Sequence, residues 1–387
     1  MIVFISNFFN HHQLPFSEEM FNLTNGDFLF IECMSMPDSF KKKGYPKLNP
    51  KFLFRSWESK KNKEEARKLI LNSEVALFGG DFEFKLKKER ILNGKLTFEV
   101  GERWLKKGWF NILSPRLLKD QINYHLYFYN KPFFRLNASA YAANDLVKLH
   151  TFKDKMFKWG YFTKVYEDFE KIIPEKFSNI SKLKILFVGR FLKWKHPEIP
   201  VLMAERIKEK KIPFELNMYG GGPELKKIKD LIVKKNLHAE INLCGSLPNI
   251  EIIQQMREHH VFLFTSDEHE GWGAVLNEAM SCKCAVIASD KIGSVPFLIQ
   301  NNVNGIIFKN KSVSDLTKKI EKLASDPSFI SSLGKNAFDS IKEIWSPHKA
   351  TKNLLTLINN LLNQDSKVIE NGPCSPALPI NSKYYED

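Results

Sequence analysis

The stretch E-G-W-G-A-V-L-N-E, Glu270 to Glu278, lies between the apolar run 261–264 and the apolar run 285–287. Two carboxylates eight positions apart, with two glycines just after the first, stand at the junction of a buried strand and a helix. Gly271 and Gly273 permit a tight backbone approach to a ligand, and the helix is expected to start near Gly273. Free N–H groups of its first turn, together with the helix dipole, favour a negative charge there. A phosphate suits that position. Glu278 falls about one and a half turns into the helix, on the order of 10 Å from Glu270. That span is too long for a shared proton and suits a grip on two ends of one sugar nucleotide. A carboxylate that accepts from a vicinal diol is the ribose-recognition chemistry of dinucleotide folds.

Around this stretch the second half of the chain alternates short apolar runs with amphipathic ones. The apolar runs 184–188, 214–219, 240–244, 261–264, 285–288 and 305–308 are predicted strands. The intervening patterns at 197–211, 223–236, 250–259, 273–281, 294–300 and 312–324 are predicted helices. Strands of this length separated by helices imply βαβ units and a parallel sheet covered on both faces. Ligands of such sheets bind beyond the carboxyl ends of the strands. After the first of these strands comes V-G-R-F-L-K-W-K-H-P, which supplies Arg190 and Lys195. After the second comes Y-G-G-G-P, where Gly221 and its neighbours allow close backbone approach. The third gives C-G-S-L-P-N, with Ser246 and Leu247. Taken singly, each loop is a weak signal; they gain weight by falling on successive strand ends.

This constellation resembles the glycosyltransferases of family 4, whose signature of two glutamates followed by Ala-Met stands here as E-G-W-G-A-V-L-N-E-A-M. The family's phosphate-binding G-R-x-x-x-x-K pattern is matched by Gly189, Arg190 and Lys195, and the likeness extends over 181–345. It implies the GT-B fold, two Rossmann-like doubly wound α/β domains facing across a cleft, with a C-terminal helix crossing back. It also implies sugar transfer with retention of anomeric configuration. By that resemblance Glu270 contacts hydroxyls of the donor sugar, Glu278 the ribose, and Arg190 and Lys195 the diphosphate. The backbone of Gly271, Trp272, Gly273 and Ala274 contacts phosphates and sugar, and Ser246 and Leu247 line the base. The implied donor is a nucleoside-diphosphate sugar, with uridine expected, and no further cofactor. No Asp-x-Asp occurs in the sequence, so metal-independent activity is expected, with two cations and a helix N-terminus meeting the departing charge.

The first half carries a noisier version of the pattern, with predicted strands at 2–5, 28–31, 75–78 and 133–136. Expected domains are 1–180 for the acceptor and 181–345 for the donor, with a linker at 170–182, a crossover helix at 346–363 and a disordered tail at 364–387. After the first strand stands N-F-F-N-H-H-Q-L-P-F. Many family members have a glycine-rich loop there, whereas this segment and K-W-G-Y-F at 158–162 resemble a bacterial subgroup with an N-H-H-Q segment. Asn10, His11 and His12 are therefore candidate acceptor-side residues, His12 as a group orienting the acceptor hydroxyl or touching a phosphate. Capping or structural roles for the histidines are the alternative. Ser139 and Tyr141 follow the strand at 133–136, where the family's usual histidine is not apparent.

At 387 residues, with 43% hydrophobic and 13% aromatic content, the chain is long enough for two domains. It opens M-I-V-F-I-S-N, without a basic leader, and no apolar run reaches the roughly 20 residues that span a bilayer. A cytoplasmic protein is expected, peripheral at the inner face of the cell membrane. The five cysteines lack paired metal-site spacing and are expected to be reduced and buried, and no metal site is expected. The net charge of +14 is spread over both halves and condenses at 41–47, 55–63 and 85–90, within the basic and aromatic segments 41–63 and 85–109. Such surfaces suit an anionic membrane or a diphosphate substrate, and a solvated lysine-rich face is the plain alternative. The leading reading is transfer of sugar to a glycan or lipid-linked acceptor in polysaccharide, lipopolysaccharide or glycolipid synthesis. Alternatives are a phosphorylase or nucleotide-sugar epimerase of the same fold, a non-catalytic scaffold and a basic nucleic-acid-binding protein. No recognition helix or RNA-binding motif supports the last, so nucleic acid is not an expected partner.

Overall fold

The computed structural model describes residues 1–41, 47–80, 83–106, 108–166, 176–177, 180–365, 367–381 and 383–386. The chain forms two compact units, Met1–Lys164 with Ile344–Asn381, and Val165–Glu343 with the last few residues. The expected linker at 170–182 lies mostly outside the described residues, as does the basic run at 41–47.

The first unit holds seven strands: β1 Ile2–Ser6, β2 Phe28–Glu32, β3 Leu53–Arg55, β4 Val75–Phe78, β5 Leu96–Gly101, β6 Phe133–Asn137 and β7 Met156–Lys158. Their order is β3-β2-β1-β4-β5-β6-β7, every pairing parallel. The second unit holds β8 Leu183–Val188, β9 Phe214–Tyr219, β10 Ile241–Gly245, β11 Val261–Phe264, β12 Ala285–Ser289 and β13 Ile306–Phe308, in the order β10-β9-β8-β11-β12-β13. These pairings are parallel too. Runs such as I-V-F-I-S and A-V-I-A-S are buried at every position, as strands covered on both faces must be. In each unit the order reverses at the first strand, the switch point where such sheets bind ligands.

Three strands escape the apolar-run reading. β3 and β7 are three-residue edge strands. β5, L-T-F-E-V-G, carries a buried glutamate in its middle. Glu99 is tolerated there because it accepts from Lys87 at 2.6 Å and pairs with Arg135 on β6.

The tail at 364–387 corrects the expectation of disorder over most of its length. Pro376 bridges antiparallel to Phe157, Lys158 N donates to Ser375 O at 2.8 Å, and Ala377 N donates to Met156 O at 3.0 Å. Asn144 and Ile380 exchange bonds of 2.8 and 3.1 Å, and Cys374 is fully buried. β7 is an edge strand with unpaired backbone groups, and the tail satisfies them. The helix Pro347–Asn363, capped by Ser346, packs on the helix Leu14–Leu23, with His348 Nδ1 2.8 Å from Glu19. All five cysteines are free, and three of them are buried. Among the described residues no helix is long and apolar enough to cross a membrane.

Candidate active site

In the second unit the loop after β8 and the glycine loop after β9 cross in direct contact. Gly189 N donates to Tyr219 O at 3.0 Å and Phe191 N to Gly221 O at 2.8 Å. Gly220 has φ +135°, and a Cβ there would lie 2.0 Å from the Gly189 carbonyl oxygen, so only glycine permits the crossing. The chain then makes a short 3-10 turn, Lys193–Lys195, and His196 adopts φ +49° before the helix Glu198–Glu209. Lys195 reaches Glu270, with its ammonium 2.5 Å from Oε2, and Ser266 Oγ donates to the same oxygen at 2.9 Å. Thr265 Oγ1 donates to Lys195 O at 2.8 Å. The loops following β8 and β11 are thereby locked together.

Beneath this pair runs a network the spacing did not reveal. His196 contacts Glu198 through Nδ1 and Asp267 through Nε2, both at 3.0 Å, and Glu270 N donates to Asp267 O at 3.0 Å. Burial opposes protonation of His196, but its two carboxylate partners outweigh that and raise its pKa. Asp267, Glu268 and His269 bring three potential metal-ligating atoms together. Asp267 already serves His196, the ring and backbone N–H of His269, and Lys311 at 3.7 Å.

The helix after Glu270 is Val275–Ser281, later and shorter than expected. Gly273 turns with φ +82°, and a Cβ there would sit 2.3 Å from the Phe264 ring. Trp272 is wholly buried, its Nε1 donating to Asn277 Oδ1 at 2.8 Å, so only its backbone belongs to the loop. Its large ring is drawn into the core by the apolar area it removes from water. Glu278 is buried as well, and Asn249 Nδ2 donates to its Oε1 at 2.9 Å. Burial pushes the Glu278 carboxyl up to about 7, with Asn249 opposing. Asn249 opens the helix Asn249–Glu258 just after Ser246 and Leu247, which ties Glu278 to that loop. A Cβ at Gly221 would come 4.0 Å from Ser246 Oγ, so these two loops also meet. Arg190 is exposed and makes no ion pair with a described residue. Asn249, Ser266 and His196 all lie in the loops chosen from sequence, but no spacing says which of them meet.

The first unit has its own cavity, about 640 Å³, at the carboxyl ends of β1, β4, β5, β6 and β7. Asn10 and His12 line it. Asn10 Oδ1 accepts from His12 N at 3.0 Å, and Gln13 Oε1 accepts from Asn10 N at 3.1 Å. Burial and the neighbouring His11 lower the His12 pKa to about 3. That burial favours the neutral imidazole of His12. His11 stacks 4.0 Å from His12, outside the cavity wall. Ser139 is fully buried, with no partner for its Oγ among the described residues, and Tyr141 lies under the Arg103 guanidinium at 5.6 Å. Neither lines the cavity. The wall is built instead by Glu99, Arg135 and Arg103, the last bound to Asp145 at 2.9 Å, and by Trp104, Trp159 and Tyr161. Trp159 and Tyr161 belong to the K-W-G-Y-F segment that the sequence singled out with N-H-H-Q.

Residues 168–340 match the family model described as Glycosyl transferases group 1. An uncharacterized glycosyltransferase of Methanocaldococcus jannaschii is 30% identical over 198 residues, covering 50% of this chain and 49% of its own length. The poly(ribitol-phosphate) alpha-N-acetylglucosaminyltransferase of Staphylococcus aureus is 28% identical over 174 residues, covering 45% of this chain and 34% of its own. The chain thus spans half or less of these curated relatives. The structure of Anabaena HepE in complex with UDP matches with a TM-score of 0.69 over 93% of this chain and 99% of that one, at 12% identity. That likeness is one of fold, two Rossmann-like domains of the GT-B type. The family match and the curated relatives support the glycosyltransferase family to which the loops pointed.

Proposed function

We propose that this chain is a retaining, metal-independent glycosyltransferase. It moves a sugar from a uridine diphosphate donor to a glycan or lipid-linked acceptor in the synthesis of a cell-surface polysaccharide, lipopolysaccharide or glycolipid. The observation that carries the reading is the Lys195–Glu270 ion pair beside the crossing of the two glycine loops, within the segment that matches the glycosyltransferase model. The S. aureus relative, named for transfer of N-acetylglucosamine to poly(ribitol-phosphate), agrees with a surface-glycan role. The UDP bound by the structural neighbour agrees with the donor.

In this reading a diphosphate entering over the glycine loops takes Lys195 as counter-ion, with exposed Arg190 as the second cation. Phosphate replaces Glu270 on the ammonium, and the released carboxylate accepts from hydroxyls of the donor sugar. Glu278, steadied by Asn249, takes the ribose, and Ser246 and Leu247 flank the base. The backbone at 271–274 approaches phosphates and sugar. The acceptor oxygen bonds to the anomeric carbon on the face from which the diphosphate leaves, as the sugar–phosphate C–O bond breaks. The hydroxyl proton passes to a phosphate oxygen of the leaving group. Asn10 and His12 contact the acceptor in the first unit's cavity, with His11, Ser139 and Tyr141 supporting that wall. The enzyme works at the inner face of the cell membrane.

The test is isothermal titration with UDP, followed by product analysis with UDP-sugars. Arg190→Ala and Lys195→Ala are expected to lower kcat by about 10²-fold or more, the scale of one lost electrostatic donor. Glu278→Ala is expected mainly to weaken UDP binding. Wild-type UDP affinity in all three variants would remove the site. An epimer or free sugar phosphate in place of a glycoside would reassign the reaction to an epimerase or a phosphorylase.

A further inference from the structure

Among the described residues, large apolar side chains left in water concentrate in one stretch of the first unit, 110–129. Phe110 is 85% exposed, Leu113 75% and Leu126 68%, with Leu118, Ile122 and Tyr129 also exposed. The stretch comprises the 3-10 turn Trp109–Leu113, the helix Pro115–Asn123 and the π-turn Tyr124–Phe128. Leu117, Tyr124 and Phe128 are buried on its inner side. Leu118, Ile122 and Leu126 recur every four residues on the opposite side. A helical stretch apolar on both sides is one that expects to be covered on both.

The exposed stripe is edged by cations rather than carboxylates. Lys119 is exposed on the same helix, whose Arg116 and Asp120 line the cavity instead. Lys88 stands 4.1 Å over the Tyr127 ring and Lys119 4.0 Å over the Phe84 ring. Of the nearby acids, Asp120 turns into the cavity wall and Glu89 is bound by Arg67 at 2.9 Å. A basic rim of this kind repels a second copy of a chain with net charge +14. It complements anionic headgroups, with aliphatic and aromatic side chains entering the acyl boundary and lysines reaching the phosphates.

We infer that the stretch 110–129 is a membrane-docking surface that seats the first unit on an anionic lipid leaflet. The sequence alone pointed to the basic runs at 41–63 and 85–109; the structure moves the apolar anchor to the segment that follows them. Arg116 and Asp120 of the docking helix line the cavity, so docking sets the cavity beside the leaflet. The inference that a lipid-linked acceptor enters there rests on the proposed transferase reading, whereas the docking itself does not.

The full-length chain is sedimented with vesicles of phosphatidylglycerol and phosphatidylcholine, and with phosphatidylcholine alone, across a salt series. Binding to the anionic vesicles, weakening with salt, is expected. A Leu118→Ser, Ile122→Ser, Leu126→Ser variant is expected to lose about tenfold or more in partitioning. Its thermal unfolding and UDP titration should stay unchanged, because these side chains are exposed and lie in the other unit from the donor loops. Phe110→Ser with Leu113→Ser is an independent second variant with the same expectation. Absence of wild-type binding to anionic vesicles, or equal binding by both variants, overturns the proposal. So does concentration-dependent dimerisation in analytical ultracentrifugation that the same substitutions abolish. A chain that binds vesicles but not UDP keeps the docking surface and loses the transferase reading.

Discussion

Glu278 is a carboxylic acid that folding removes from water, and the consequence is visible in its proton. Its folded pKa of about 7 stands above the ordinary carboxylate value, so the folded chain holds a proton that the unfolded chain has released. That contribution to stability is fully present below the ordinary carboxylate range and is lost as pH rises through about 7. Glu278→Gln keeps the neutral shape. It is expected to match the wild type in urea melts at about pH 5 and to exceed it at about pH 8. A ribose that donates to the carboxylate favours its ionised form, so UDP binding near neutrality is expected to release protons. Titration in buffers of different ionisation enthalpy reads that release, and a buffer-independent enthalpy counts against contact with Glu278. Gly273 sets a different limit. Its φ of +82° and the Phe264 ring 2.3 Å from a would-be Cβ leave no room for alanine. Gly273→Ala is expected to cost about 2–4 kcal/mol in chemical denaturation and to disturb the Glu270 loop.

At the scale of elements, β5 shows how a strand hides from a reading by apolar runs. Thr97 and Glu99 interrupt its periodicity, yet both are buried at the centre of a parallel sheet. Lys87 and Arg135, from the helix Phe84–Leu92 and from β6, supply the compensating charges. Glu99→Ala leaves two buried cations without their shared partner and is expected to cost about 3–5 kcal/mol. Thermal unfolding measures it, and loss of under about 1 kcal/mol would mean that water replaces the carboxylate. In the second unit the strands were legible because each is short, mostly apolar and separated from the next by an amphipathic stretch. The loops after them could be chosen for the same reason. Their internal pairings could not, since Lys195 and Glu270 are 75 positions apart and meet only because β8 and β11 are neighbours in the sheet.

For the whole molecule, the carboxyl-terminal segment is part of the fold rather than an appendage. Residues 367–381 cover the edge of β7 and bring Cys374 and Ala377 into the core of the first unit. Removing everything after Asn363 is expected to lower Tm by several degrees and to promote association through the bared edge. Differential scanning calorimetry and light scattering read the two effects. An unchanged Tm would show that the covering contributes nothing to stability.

Two parallel sheets, their boundaries within a residue or two in the second unit, and the strand ends that carry Glu270, Glu278, Arg190 and Lys195 were all determined by the sequence itself. Buried parallel strands and amphipathic helices are written in local periodicity, and chain order then fixes which ends face a ligand. Tertiary structure alone decided the rest. It put Trp272 in the core, raised the Glu278 carboxyl, favoured a neutral His12, paired Lys195 with Glu270 and laid the tail on β7. Each outcome depends on which distant side chains share a buried space, and desolvation and pairing are set by that company rather than by the residue's own type or its neighbours in the chain.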